Sequence, residues 1–335
     1  MRPRVLSGMR PTGALHLGHY HGALKNWVRL QQDHDCFFFV ADWHALTTHY
    51  REREVIERNV YDMVVDWLAA GVDPDRATLF IQSRLPEHAE LFTLLAMGTP
   101  LSWLERVPSY KHLIATQPDR DLATYGFLGY PLLQAADILI YKAQFVPVGE
   151  DQAAHVEITR EVARRFNHLY GRLHGSDCPV LPEPATLHTE TARFPGLDGE
   201  KMSKSTGNTI DMREAPEQVT QKIRRMPTDP QRVRRDDAGD PSRCPVWPLH
   251  QVYSDDSTRT WARQGCTSAG IGCLDCKQPL IEAILREQAP WRERAERYLA
   301  NPKQVHWIVE IGTERARTVA KQTMKDVREA MGLNY

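Results

Sequence analysis

A chain of 335 residues, 41% hydrophobic and 25% charged, is long enough to bury a substantial core, has the balance of a globular enzyme, and suggests two domains. No apolar run approaches the roughly 18 to 20 residues of a membrane span, and the opening Met-Arg-Pro-Arg-Val lacks the apolar core of a secretory signal, so a cytoplasmic protein with no membrane partner is expected. A formal net charge of −1 excludes a whole-molecule field as the source of nucleic-acid binding, which would need a local basic face.

Residues Arg4 to Ser7 predict a first strand, and the stretch from Leu6 to His19 continues as strand end, glycine-bearing loop and helix start. Unpaired backbone N–H groups and the dipole at a helix start favour an anion, so phosphate can sit there without a metal cage. His16 and His19, spaced i and i+3, share a face, and Gly18 between them lets a base or ribose lie against the backbone. Leu17, Tyr20, Leu24, Trp27 and Val28 recur at spacings of three and four, which buries one face of that helix.

Cys36 to Ala41 is a continuous apolar run, predicting a strand covered on both faces that ends at Asp42-Trp43-His44. A second helix carries Ile56, Val60, Met63, Val64, Trp67 and Leu68 in phase and stops at Gly71. Thr78 to Gln82 is another buried-type strand. The alternation implies an α/β, doubly wound parallel sheet whose ligands bind beyond the strand carboxyl ends, where the His16 loop lies.

The stretch 86–121 reads as helices and loops inserted between the halves of the sheet, with Lys111 either a phosphate contact or a surface lysine. Next comes a mainly apolar helix, Tyr130 to Tyr141, on which Tyr130, Gln134 and Asp137 share a face at i, i+4 and i+7. Burying Asp137 is costly unless something donates to it. Two donors stay open: a buried backbone group, or a substrate N–H or O–H. Val146 to Val148 predicts a short strand running into Gly149-Glu150-Asp151-Gln152, where a carboxylate can accept from ribose hydroxyls. The following helix turns Val156, Thr159, Val162, Ala163 and Phe166 inward.

Lys201-Met202-Ser203-Lys204-Ser205, between Pro195-Gly196-Leu197-Asp198-Gly199 and Thr206-Gly207-Asn208, reads as a mobile loop whose lysines can neutralise charge on a leaving pyrophosphate. Beyond it the texture is helical, with Glu214 to Arg225, Pro279 to Leu299 and a terminal helix from Lys303 whose Val309, Thr313, Ala316, Val319, Ala320, Thr323 and Val327 pack back on the body. Arg224, Arg225, Arg232, Arg234 and Arg235 form either a solvated loop or a phosphate-contacting face. Of six cysteines, Cys244, Cys266, Cys273 and Cys276 crowd into one stretch, which argues for a metal site over a secreted disulfide framework. Four thiolates suit zinc, more often with two C-x2-C knuckles, or a 4Fe-4S cluster, with less regular spacing.

His16-Leu17-Gly18-His19 and Lys201-Met202-Ser203-Lys204-Ser205 resemble the two signatures of the class I aminoacyl-tRNA synthetases, HIGH and KMSKS, with Leu17 in place of isoleucine. Tyr130 to Tyr141 followed by Val146 to Gln152 is similar to the tryptophanyl-tRNA synthetases, over nearly the whole chain. The resemblance implies a Rossmann-like nucleotide-binding domain over 1–205, an all-helical tRNA-binding domain over 206–300 and a C-terminal helix over 301–335. It further implies catalysis by His16, His19, Lys201 and Lys204, and ATP, with Mg²⁺, held by Arg10, Pro11, Thr12, Gly18, His19, Gly149, Glu150, Asp151 and Lys201 to Ser205. In this family the aspartate matching Asp137 accepts the indole N–H of tryptophan, and Tyr130, Gln134, Gln152, His44, Val146 and Val148 line its pocket. The Tyr-x3-Gln-x2-Asp pattern is shared with the tyrosyl enzymes, which leaves them as an alternative, beside an RNA-binding paralogue without activity. The four cysteines resemble those of a subset with a 4Fe-4S centre near the anticodon contact, although the first gap is one residue shorter here. Partners implied are L-tryptophan, tRNA(Trp) and a second copy of the chain.

Overall fold

The computed structural model describes residues 2–108, 110, 123–149, 153–171, 179–188 and 194–335. Lys111, Glu150, Asp151 and Gln152, singled out above, lie outside the described residues.

Five parallel strands, β1 (Arg4–Met9), β2 (Asp35–Val40), β3 (Ala77–Ile81), β4 (Phe145–Val148) and β5 (Ala185–His188), stand in the order β3-β2-β1-β4-β5. The chain winds outward from β1 to β3 and then returns to the other side of β1, so the crevice opens beyond the carboxyl ends of β1 and β4. The apolar runs of the inner strands divide by alternation. Val5, Phe38, Val40 and Leu79 enter one core while Leu6, Phe37, Phe39 and Phe80 enter the other, so both faces are covered. Sequence reading does not find β5, because Ala-Thr-Leu-His offers one large apolar side chain and no periodicity.

The first helix departs from a simple 3.6-residue repeat. Leu17–His19 is α-helical, Tyr20–Leu24 is a π turn, and Lys25–Leu30 is α-helical again. The widened turn brings Gly22, Ala23 and Asn26 to the crevice wall. Asp42-Trp43-His44, predicted as a strand end, is instead the first turn of a helix, Asp42–His49, with Asp42 at its positive end. Gly71 ends the helix Arg53–Ala70 with φ 109°, as expected of a left-handed cap.

Beyond residue 205 the described regular elements are helices apart from isolated bridges: Pro216–Arg225, Trp247–Tyr253, Asp256–Thr267, Cys273–Ala300 and Pro302–Ala330. These share a core with the sheet, since Val219, Ile284 and Trp291 are in one cluster with Val5 and Trp67. The terminal helix lies so close to β3 that a Cβ on Gly312 would fall 1.9 Å from the Leu79 carbonyl oxygen. Only glycine permits that approach. The long helix Cys273–Ala300 starts at two cysteines and later touches the π turn that follows the first signature, where Trp291 meets the Tyr20 ring at 4.2 Å and Glu287 pairs with His21 at 3.1 Å. Among the described residues, no helix is long and apolar enough to cross a membrane.

Candidate functional site

Two segments nearly two hundred residues apart are stitched together by backbone hydrogen bonds. Leu17 N–H donates to the Ile210 carbonyl at 3.0 Å and Met212 N–H to the Leu15 carbonyl at 2.8 Å, forming an antiparallel bridge between His16 and Asp211. Lys204 Nζ donates to the Gly13 carbonyl at 2.8 Å. A Cβ on Gly18 would fall 3.0 Å from the His16 ring and 3.5 Å from the Met202 Cβ, so the small residue also serves the close packing of the two segments. Lys201 is exposed.

The loop read as mobile is tied down by a residue that the sequence presented only as its flank. Asn208 is 5% exposed, and its Oδ1 accepts from Ser203 N–H at 2.7 Å. Its Nδ2 donates to Asp198 Oδ1 at 2.8 Å and to the Lys201 carbonyl at 3.1 Å. The first signature is supported by Asp66, which accepts from Leu15 N–H at 3.4 Å and Arg213 Nε at 2.5 Å. Burial pushes Asp66 up to about 6 despite the Arg213 charge.

His19 Nδ1 accepts from His16 N–H at 3.1 Å, so His19 keeps its proton on Nε2, which is then its donor toward the crevice that the ring lines. Burial, and next the Lys204 charge, lowers His16 to about 4; burial, His16 and Lys204 hold His19 well below the ordinary imidazole value. Both rings are neutral near pH 7. They offer N–H dipoles, and the full charge resides on the lysines. Burial also brings Lys204 down to about 8, although Asp211 and Asp66 favour its protonated form.

A cavity of about 460 Å³ runs from His19 and Arg10 past Gly149 to Asp137, with Tyr130, Gln134, His44, Val146 and Val148 in its walls. Gly8 lies at its floor, where a Cβ would strike the Phe39 ring at 2.6 Å. Pro11, Thr12, His16, Gly18 and the segment Lys201 to Ser205 are outside its lining; His16 is joined to it through His19, and Lys204 is held to the neighbouring loop at Gly13, itself outside the lining. His155, which the sequence did not single out, lines the cavity and meets the Tyr130 hydroxyl through Nε2 at 2.9 Å.

Asp137 is fully buried, and the donors it meets in the chain are side chains, not the buried backbone group that the sequence left open. Oδ2 accepts from His44 Nε2 at 2.8 Å and Oδ1 from His88 Nδ1 at 2.6 Å, while Gln82 Nε2 reaches both oxygens at 2.8 and 2.9 Å. His88 Nε2 in turn meets the Tyr141 hydroxyl at 2.7 Å. Burial alone would raise the pKa, but the bonds from His44 and His88 outweigh it and hold Asp137 below the usual carboxylate value. The carboxylate is therefore ionised.

The four cysteines surround a second hollow with Thr228, Asp229, Arg232 and Val246. Burial raises the thiols of Cys244 and Cys266 and pushes Cys276 up to about 12. Two buried cations adjoin them. Arg232 donates through Nη2 to the Arg235 and Ile271 carbonyls and leaves Nε without a partner, while Lys277 donates to the Arg224 and Met226 carbonyls. His250 Nε2 lies 3.3 Å from Cys276 Sγ, and a Cβ on Gly239 would fall 2.6 Å from Cys266 Sγ. Among the described residues, no three His, Cys, Asp or Glu side chains are placed to hold a single metal ion. Arg224, Arg225, Arg234 and Arg235 are exposed, with Asp236 exposed and Asp237 half-buried next to them in the chain.

Residues 1–286 match the family described as tRNA synthetases class I (W and Y). A tryptophan–tRNA ligase of Ralstonia nicotianae is 58% identical over 395 aligned positions that cover 99% of each chain. One from Thermotoga maritima is 49% identical, covering 99% of this chain and 100% of its own. Among solved structures, the tryptophanyl-tRNA synthetase of Campylobacter jejuni, complexed with ADP and tryptophan, is similar with a TM-score of 0.87 at 32% identity, covering 98% of this chain and 100% of that one.

Proposed function

The chain belongs to the class I tRNA synthetases of the W and Y family, among the tryptophan–tRNA ligases, and from that premise we propose how its crevice activates L-tryptophan with ATP and charges tRNA(Trp). The observation that carries this reading is one continuous cavity with a neutral His19 donor at one end and an ionised, buried Asp137 at the other, the Lys204 segment being fixed to the His19 loop just outside its lining. Tryptophan lies with its ring toward Asp137, among Tyr130, Gln134, His44, Val146 and Val148. ATP lies along Arg10, Pro11, Thr12, Gly18, His19 and Gly149 under the loop Lys201 to Ser205. Glu150, Asp151 and Gln152 join these sets by resemblance alone.

The tryptophan carboxylate attacks the α-phosphate and pyrophosphate leaves; the 3′-terminal ribose hydroxyl of tRNA then takes the acyl group and AMP departs. No acid–base residue is required, because catalysis of this kind is positioning plus electrostatic stabilisation. The imidazoles of His16 and His19 supply N–H donors, and Lys201 and Lys204 supply charge. Mg²⁺ is expected to accompany the triphosphate. Lys204 has to exchange the Gly13 carbonyl for phosphate oxygen, which ties its reach to nucleotide binding.

Pyrophosphate exchange dependent on tryptophan and not on tyrosine, followed by charging of tRNA(Trp), tests the reading. Exchange with tyrosine would favour the tyrosyl alternative, and exchange with neither an inactive paralogue. The acidity constants set a pH profile. Because free-enzyme Lys204 loses its proton through about 8, kcat/KM for ATP should fall above that value, by about tenfold per pH unit. An acid limb from His16 should wait until about 4. A basic limb only above pH 10, in a full pH titration of kcat/KM, would remove Lys204 from this role.

For the second hollow the proposal is a 4Fe-4S cluster on Cys244, Cys266, Cys273 and Cys276, with zinc the alternative. The fit rests on four thiols in one enclosure, the adjoining Arg232 and Lys277 charges that would offset thiolates, and the space that Gly239 leaves beside Cys266. Its contribution there is structural, holding the exposed arginines toward the anticodon. Anaerobic purification should give coloured protein containing iron and sulfide, lost in Cys276→Ser together with several degrees of Tm. Colourless, zinc-loaded protein would overturn the choice. A cytoplasmic homodimer, with one tRNA reaching across both copies, completes the proposal. Met97 and Leu101, 75% and 57% exposed, flank Gly98, against which Leu169 packs, and form an apolar patch suited to that contact.

A further inference from the structure

A carboxylate has about four lone-pair sites, and on Asp137 all are taken. Each oxygen accepts two hydrogen bonds, Oδ1 from His88 and Gln82, Oδ2 from His44 and Gln82. An indole N–H arriving at this group therefore has to displace a protein donor.

The three donors are unequal. Gln82 and His88 are both 0% exposed and neither lines the cavity. His88 is held from behind by the Tyr141 hydroxyl, whose proton stays on oxygen because burial raises its pKa well above 10. Tyr141 thus donates to His88 Nε2, which fixes the Nδ1–H tautomer that faces Asp137. Gln82 leaves its Oε1 without a partner, so turning its amide would bring oxygen against carboxylate. His44 differs on each count. It lines the cavity, is 8% exposed, and sits in the first turn of the short helix Asp42–His49.

We propose that Gln82 and His88, braced by Tyr141, are positioning residues that hold the Asp137 carboxylate in place, and that His44 is a placeholder donor which the substrate N–H displaces. This rests on the tryptophan reading of the cavity and adds to it a means of keeping an empty recognition group satisfied. Recognition then exchanges one hydrogen bond for another. A ligand of the same shape without the N–H gains nothing by displacing His44 and would leave Asp137 short of a donor if it did.

The test follows the His44 imidazole by NMR in the full chain labelled with ¹⁵N-histidine, the signal assigned by its loss in His44→Phe. Saturating L-tryptophan should shift the His44 Nε2–H resonance away from its carboxylate-bound position, whereas β-(3-benzothienyl)alanine, with sulfur in place of N–H, should leave it there. In kinetics, His44→Phe should raise the KM for tryptophan far less than His88→Phe does, because the displaced bond is not retained in the complex. His88→Phe should raise it by about a hundredfold with the ATP KM unchanged, and His88→Asn, which restores a donor near Nδ1, should recover most of the loss. Tryptophan that binds without moving the His44 signal, or equal damage from His44→Phe and His88→Phe, overturns the placeholder and leaves the tryptophan site standing. Failure of the parent enzyme to bind tryptophan overturns the reading beneath it.

Discussion

Lys204→Ala should slow tryptophan-dependent pyrophosphate exchange by about 10² to 10³, the usual effect of removing one preorganised donor from a developing anion. Of the groups assigned to the phosphates, Lys204 is the partly buried full charge bound to the nucleotide loop, while the imidazoles beside it are neutral and Lys201 is exposed. The loss should appear in kcat more than in KM for either substrate, since charge on the leaving pyrophosphate grows after the ground state. Stability should change little. The folded enzyme gives up one bond, to the Gly13 carbonyl, worth about 0.5 to 1.5 kcal/mol. Lys204→Arg should rescue poorly, because a planar guanidinium does not fit the space in which Lys204 Nζ lies 3.4 Å from the Cβ position of Gly13. Lys201→Ala, at the exposed lysine of the same segment, should cost less. A fall of less than tenfold in Lys204→Ala, measured by exchange at saturating substrates, would place the leaving-group charge elsewhere.

What the sequence made legible was whatever a local pattern records. The apolar run Cys36 to Ala41 marks a strand because both faces must be covered, and β2 occupies most of it. Gly71 marks a stop because a left-handed cap favours glycine. The two signatures stood out by their letters. The groups that hold them were hidden, because their partners are distant in the chain. Asp137 meets donors 93, 55 and 49 residues away, and only His44 had been associated with its pocket. Gln82 looked like the end of a strand, His88 was one unmarked residue in the stretch 86–121, and Asn208 looked like a loop flank. The π turn after His19 leaves no trace in an apolar repeat read at 3.6 residues, since Leu24 and Trp27 are buried either way.

Asp137→Ala tests the other end of the cavity, and its expected effect is a rise of about 10² to 10³ in the KM for tryptophan with the KM for ATP unchanged within a factor of about three. The asymmetry follows from position, since among the described residues Asp137 is hydrogen-bonded to His44, Gln82 and His88 and not to the segments that carry His19 and Lys204. The variant also orphans those donors, of which Gln82 and His88 are fully buried, and truncating a buried charged partner costs about 3 to 5 kcal/mol. Melting temperature must therefore be measured beside KM. Asp137→Asn is no milder control, because its amide NH₂ would face N–H groups that already donate. The acid limb of stability separates this carboxylate from a merely packed side chain. Since its folded pKa lies below the ordinary 3.8, its contribution is complete above that value and is lost only as pH falls through the folded pKa. The parent should show that loss at the acid end and Asp137→Ala should lack it. Equal rises in KM for tryptophan and ATP would mean that the substitution had damaged the crevice as a whole, and Asp137 would then have no special claim on the indole.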